Sequence, residues 1–233
     1  MLEMMLAAGI KGIPAGTLTI GETELTQGVG TIYIQQGISG TTADSFLMPE
    51  RAIYGHTIDP STGNLITMEL FDNEYWIHDG LSAAVLQKIP YITGIGNCRG
   101  IDFDVDNGNL ITCDASPEKV YINNGVSGSV LSSFAVPNDP TAVAWDPFTG
   151  NIVVGISPGD GIYVYTQSGV IVTSFTLNGI NTDSMVVDPE TGNLITADNS
   201  TGLIQVHDGI SATVLSSFAS PASDLRGGLA ITR

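Results

Sequence analysis

The chain has 233 residues, 42% of them hydrophobic, and carries 24 acidic against 7 basic side chains, a formal charge of −17. A surface so acidic repels phosphate backbones and anionic lipid headgroups, which excludes nucleic acid and membrane surfaces as partners. No apolar run is long enough to cross a bilayer as a helix, and two cysteines, Cys98 and Cys113, are too few for a disulfide framework. The acidity itself serves solubility, or points to divalent cations or a basic protein partner.

Residues 1 to 13 open with Met1-Leu2-Glu3-Met4-Met5-Leu6 and lie outside everything that follows. An acid stands where a secretory signal needs positive charge, so the segment reads as an N-terminal tail and a candidate docking element rather than a signal peptide. On that reading the chain is cytoplasmic or part of a particle assembled there.

From residue 14 onward the chain repeats itself. Asp59-Pro60-Ser61-Thr62-Gly63-Asn64-Leu65-Ile66-Thr67 returns as Asp188-Pro189-Glu190-Thr191-Gly192-Asn193-Leu194-Ile195-Thr196, with looser copies at 104–112 and 146–153. Gly63 to Gly108 is 45 residues, and Gly108 to Gly150 and Gly150 to Gly192 are 42 each, the length of one propeller blade. Each copy is a turn: Asp accepts amide hydrogen bonds, Pro presets the first dihedral, and Gly takes the left-handed position. Branched residues flank it on both sides, as strands require.

Gly16-Thr17-Leu18-Thr19-Ile20 aligns with Gly192 onward, so the first element is the second strand of a blade. The third strands read Thr31-Ile32-Tyr33-Ile34, Tyr75-Trp76-Ile77-His78, Val120-Tyr121-Ile122-Asn123, Ile162-Tyr163-Val164-Tyr165 and Leu203-Ile204-Gln205-Val206-His207. Asp79-Gly80, Asn124-Gly125, Ser168-Gly169 and Asp208-Gly209 predict tight hairpins with positive φ at both central residues, leading into half-wet fourth strands. His78 and His207 precede two of these hairpins and are expected as an outer-turn pair. Gly227-Gly228-Leu229-Ala230-Ile231 at the end reads as a first strand, matched to Gly100 onward. The strand left over at the C-terminus is the one the N-terminus lacks. The expectation is an all-β, five-bladed propeller of four-stranded antiparallel blades over 14–233, closed by pairing the two chain ends.

These turns and strands resemble NHL-type and YWTD-like propellers and, more loosely, the regucalcin and gluconolactonase group. The wording of the blades also resembles uncharacterised propellers carried by bacteriophages. The second resemblance implies a non-catalytic binding or assembly module of a virion; the lactonase group implies a metal-dependent hydrolase instead. In that group a glutamate, an asparagine and an aspartate from separate blades hold the metal, and only Glu22 can be matched, by its place in the chain.

Counting six residues past each turn glycine gives Glu22, Glu69, Asp114 and Asp198, with Ile156 in the remaining blade. Aimed at the axis, the four carboxylates would form a ring of oxygen ligands for Ca²⁺. Holding the following turn, they would accept backbone N–H bonds, and repetition in nearly every blade favours that role, with no cofactor bound. His56, Arg99 and Arg226 break the repeat at the start of the first strands and are candidates for the ligand face, or for neutralising the acids. Asp102-Phe103-Asp104-Val105-Asp106 superficially resembles a calcium loop but coincides with the ordinary blade turn. If Asp104 pairs with Asn109, Cys98 and Cys113 fall on one sheet face as packed thiols.

Overall fold

A computed structural model describes residues 14–23, 29–49, 52–91, 97–177 and 181–233. The candidate docking tail, 1–13, lies outside these. Among the described residues twenty strands form five separate four-stranded sheets. The first blade orders β20 (Leu229–Ile231), β1 (Leu18–Glu22), β2 (Thr31–Gln35) and β3 (Thr42–Leu47) from axis to rim. The second runs β4 (Ile53–Ile58), β5 (Leu65–Glu69), β6 (Glu74–His78), β7 (Val85–Pro90). The third is β8 (Cys98–Asp104), β9 (Asn109–Asp114), β10 (Lys119–Asn123), β11 (Val130–Ala135). The fourth is β12 (Asp139–Asp146), β13 (Asn151–Ser157), β14 (Gly161–Tyr165), β15 (Ile171–Thr176), and the fifth β16 (Thr182–Val187), β17 (Leu194–Asp198), β18 (Leu203–His207), β19 (Val214–Ala219).

The ring closes as the sequence predicts. Leu229 lies opposite Ile20, Ala230 opposite Thr19 and Ile231 opposite Leu18. This register also corrects the expected alignment by one residue. Leu229, not Gly228, occupies the place of Ile101, because Ile101 pairs with Thr112 and Leu229 pairs with Ile20, which in turn face Tyr121 and Tyr33 on the third strands. The residue is absorbed by a 3-10 turn at Leu225–Gly227 that leads into β20.

There is no central core. Buried apolar side chains divide into five clusters, one in each cleft between neighbouring blades. Inner and middle strands therefore read as nearly continuous buried runs, while outer strands are largely exposed. The Phe of each outer Ser-Ser-Phe or Ser-Phe string, Phe134, Phe175 and Phe218 among them, folds back against its cluster and is partly buried.

The turn motif acts as its residues dictate. Asp188 accepts from the Glu190 amide at 3.0 Å and from the Thr191 hydroxyl, and Asp59 accepts from the Ser61 amide at 2.9 Å and the Thr62 hydroxyl at 2.8 Å. The Asn after the glycine reaches sideways: Asn64 Oδ1 accepts from Gly80 N at 3.0 Å and Asn193 Oδ1 from Gly209 N at 2.9 Å. One turn thus buttresses the next. That bond also alters the outer connections, which are not two-residue hairpins. Asp79 N donates to Ala84 O and Asp208 N to Thr213 O, and only the glycine takes positive φ, 60° at Gly80 and 61° at Gly209.

His78 and His207 are likewise not at a wet turn. Both are fully buried, and their Nε2 atoms sit 3.1 Å and 3.0 Å from the hydroxyls of Thr67 and Thr196 on the neighbouring strand. Asn123 takes the same place against Thr112 in the third blade.

Deleting residues 226 to 233 removes β20 and leaves β1 with an open edge. The loss of buried Leu229 and Ile231 alone is worth about 4 kcal/mol at roughly 2 kcal/mol each. The truncated chain is expected to melt lower and over a broader range in calorimetry, and to be less soluble; a transition as sharp and as hot as that of the whole chain would contradict closure.

Candidate functional site: the axial mouth

The four repeated acids do not meet. Each ends the second strand of its blade, and Glu69, Asp114 and Asp198 hold the chain just beyond it. Asp198 accepts from the Ser200 amide at 2.8 Å, the Ser200 hydroxyl at 2.6 Å and the Thr201 hydroxyl at 2.9 Å. Asp114 accepts from the Ser116 amide at 2.8 Å, and Glu69 from the Asp72 amide at 2.5 Å. Glu22 holds a distant segment, taking the Ser223 amide and hydroxyl at 2.7 Å each and the Tyr33 hydroxyl at 3.0 Å. Burial pushes the Glu22 carboxyl up, but the bonds from Ser223 and Tyr33 outweigh it and hold the group below the usual range. Glu69 has fewer donors, and burial raises it.

Among the described residues no three His, Cys, Asp or Glu side chains are grouped so as to hold a metal. The calcium-like string is dispersed in the same way. Asp104 spends its oxygens on Asp106 N, Asn107 N and Asn107 Nδ2, at 2.9–3.2 Å, whereas Asp102 points to the axis.

The residues that do converge come from the inner strands. Each of β4, β8, β12 and β16 carries a β-bulge near its start, where the inner strand advances one residue more than its partner. A bulge re-aims the extra side chain. In three blades that extra residue is Arg99, Thr141 or Asp183, and in the second blade Tyr54 holds the same place. Arg226, from the 3-10 turn before β20, fills the fifth. Together the five line a shallow recess at the mouth of the axis.

Their states differ. Asp224 clamps Arg226 through Nε at 2.8 Å and through Nη2, and Arg226 Nη1 donates to the Tyr54 hydroxyl at 3.2 Å. Thr141 donates to Thr182 O at 2.5 Å. Asp183 accepts from Asn199 N at 2.9 Å, and burial raises its carboxyl above the usual range. Arg99 makes one long bond, Nε to Asn97 Oδ1 at 3.4 Å, and lies beside the Tyr54 ring with 5.9 Å between guanidinium carbon and ring centre. Neither arginine neutralises the repeated acids: the ion pairs among the described residues are Arg226 with Asp224 and Arg233 with Asp102.

Below the mouth the axis narrows to backbone. A Cβ on Gly100 would stand 2.7 Å from Val143 N, and one on Gly228 2.7 Å from His56 N, so neighbouring inner strands touch there without side chains between them. His56 sits at this neck rather than on the face. Its Nδ1 donates to Gly227 O at 3.0 Å, and Nε2 lies 2.8 Å from the Thr19 hydroxyl. Complete burial pushes the imidazole down to about 4, so it is neutral. At the far end Asp102 accepts from Trp145 N at 2.8 Å and from Arg233 Nη2 at 3.3 Å.

The bulge also separates the cysteines. Asp104 does pair with Asn109, but Cys98 opposes Asp114 rather than falling in phase, and packs with Ile66, Met68 and Tyr75 while Cys113 packs with Val143 and Trp145. They lie on opposite faces of the blade as buried free thiols, with burial pushing Cys113 up to about 12.

Sequence reasoning found Arg99 and Arg226 because they break the repeat at the start of the first strands, and missed Tyr54, Thr141 and Asp183. The missed three stand directly before Gly55, Ala142 and Ser184, in register with Arg99 before Gly100. Position in the repeat, rather than charge, was the usable signal.

No protein-family model matches the chain, and no curated protein matches it in sequence. Solved structures do share its fold. A chain of a nidogen/laminin complex superposes with a TM-score of 0.59 at 16% identity, over 96% of this chain and 88% of that one. A protein of unknown function from Bacteroides caccae gives 0.55 at 13% identity, over 88% and 73%. Hydrazine synthase of Kuenenia stuttgartiensis gives 0.53 at 14% identity over 72% of this chain, which spans only 49% of that one. These likenesses concern the fold.

Three outcomes follow from the site. His56 falls from 6.5 to about 4 on folding, so the unfolded chain binds its proton first. The neutral ring then contributes roughly 3 kcal/mol of stability above pH 6.5, lost as the pH drops toward 4. The melting temperature should decline across that window, and His56→Asn should flatten the decline relative to the parent chain. Asp198→Ala leaves three donors without their acceptor and should cost about 1–3 kcal/mol in denaturant unfolding, while millimolar Ca²⁺ should leave the melting temperature of the parent chain unchanged.

Proposed function

We propose that this chain is a non-catalytic binding and assembly module that meets a protein partner with the face carrying the axial mouth, and that it serves as a structural or adhesive component of a bacteriophage particle. One observation carries the binding reading. The polar residues that recur from blade to blade are engaged in internal hydrogen bonds, whereas the bulge position at the mouth differs in every blade: Tyr54, Arg99, Thr141, Asp183, with Arg226 in the fifth place. A scaffold that repeats what stabilises it and varies one cluster at the end of its axis presents that cluster for recognition.

The NHL-like wording of the blades and the likeness of the fold to a chain from a nidogen/laminin complex support a protein partner. The resemblance to phage-borne propellers supports the particle. Against the lactonase-like alternative, Glu22, the one residue that group's metal set could claim, is already bonded to Ser223 and Tyr33.

Mass spectrometry of gradient-purified particles from the source phage should recover peptides of this chain at a fixed ratio to capsid protein, and gold-labelled antibody should decorate intact particles. Recovery solely from the particle-free fraction would overturn the assignment to a virion. Turnover of a panel of aldonolactones that is lost in Glu22→Gln would overturn the non-catalytic reading.

A further inference from the structure

We propose that the axial mouth is a carboxylate-binding site in which Arg99 receives the carboxylate and the Tyr54 hydroxyl completes the cradle. The inference rests on the reading of this face as the recognition surface and names the chemistry it takes.

Arg99 is an expensive residue to leave idle. Bringing one of 7 basic side chains among 24 acids to the axis invites an ion pair, yet among the described residues its guanidinium meets no carboxylate. Its one hydrogen bond among the described residues engages Nε alone. That leaves the two Nη groups, the pair that grips a carboxylate in parallel, without a hydrogen bond among the described residues, and Arg99 lines the recess. The adjacent arginine shows the contrast. Arg226 is held by Asp224 along the Nε and Nη2 edge of its guanidinium, with Nη1 on the Tyr54 hydroxyl.

Arg226 also prepares the second donor. Its Nη1 donates to the Tyr54 oxygen at 3.2 Å, and a phenol that accepts a charged bond keeps its own proton to give. Tyr54 is 91% buried and its ring lies flanked by both guanidinium groups, at 5.9 Å for Arg99 and 5.7 Å for Arg226, so the hydroxyl is fixed in place. Thr141, whose hydroxyl is turned to Thr182 O, contributes a wall rather than a donor.

Asp183 sets the charge that fits. It lines the same recess, and with the −17 of the whole chain it opposes a second negative charge on the ligand. A singly charged, planar oxyanion meets the fork of Arg99 at the least repulsion; phosphate and sulfate dianions meet it at twice that cost. The recess is shallow and small, so a carboxylate offered at its mouth by an acidic side chain, a chain end or a small free acid suits it, with the rest of the ligand outside.

The test is NMR titration of the Arg99 Nε–H and of backbone amides on the full chain. Sodium acetate, Ac-Ala-Glu-Ala-NH₂ and Ac-Ala-Ala-Ala-OH are added at constant ionic strength, with acetamide, sodium chloride and sodium phosphate as controls. Acetate should bind saturably in the millimolar range, shifting Arg99 and residues of the mouth, and acetamide should not. Arg99→Met should weaken binding by about tenfold or more and leave the melting temperature within a few degrees, since no carboxylate among the described residues loses a partner. Lys88→Met, at the rim beside Trp76, should change nothing.

Tighter binding of the glutamate peptide than of acetate assigns the carboxylate to a partner's side chain, tighter binding of the free chain end assigns it to a terminus, and a preference for acetate assigns it to a small acid. Absence of saturation at 100-fold higher acetate than a millimolar site requires, equal shifts with chloride, stronger binding of phosphate, or full retention in Arg99→Met would each overturn the proposal. The two readings fail separately: a carboxylate site on a protein absent from particles removes the virion, and a particle protein whose Arg99 ignores acetate removes the site.

Discussion

Everything in this molecule depends on three residues pairing with three others across the whole length of the chain. Leu229, Ala230 and Ile231 complete the first blade against Ile20, Thr19 and Leu18. Without that pairing the five apolar clusters would become four closed clefts and one open wound, because each cluster exists only between two neighbours. Beyond the strand, Arg233 extends across the axis to Asp102 and to the Phe103 carbonyl, binding the last residue of the first blade to the inner strand of the third. Closure is thus secured at the strand edge and again at the axis.

Closing five blades rather than more brings the inner strands close together, and this constraint shapes the axis. At the neck glycine replaces side chains where β8 meets β12 and where the approach to β20 meets β4. His56 fits there as a neutral ring bonded on both nitrogens. At the mouth the strands diverge, and the bulges turn one side chain per blade into the space that opens. The same crowding that leaves little space between the inner strands concentrates variation at the end of the axis.

The repeated carboxylates and the mouth show why recurrence and function separate in this fold. Asp114 and Asp198 do the same work in their blades, and a group that satisfies backbone donors has little freedom left for a ligand. Arg99 has the opposite standing: it occurs once, and its guanidinium lacks a carboxylate partner among the described residues. The acids are numerous because every blade has a turn to hold, and the arginine is informative because no blade needs it.

The period of the turn, the pairing of the chain ends and the order of strands were all legible in the sequence, because each rests on local chemistry repeated in register: Asp and Pro set a turn, Gly takes the left-handed position, and branched residues extend from it. A strand missing at one end and left over at the other fixes closure by counting alone. What a linear reading could not supply was phase. The bulges at Tyr54, Arg99, Thr141 and Asp183, which also place Cys98 and Cys113 on opposite faces, arise from the fit of a short inner strand against a crowded axis. A single inserted residue inverts every side chain before it, and only the assembled ring decides where that inversion falls.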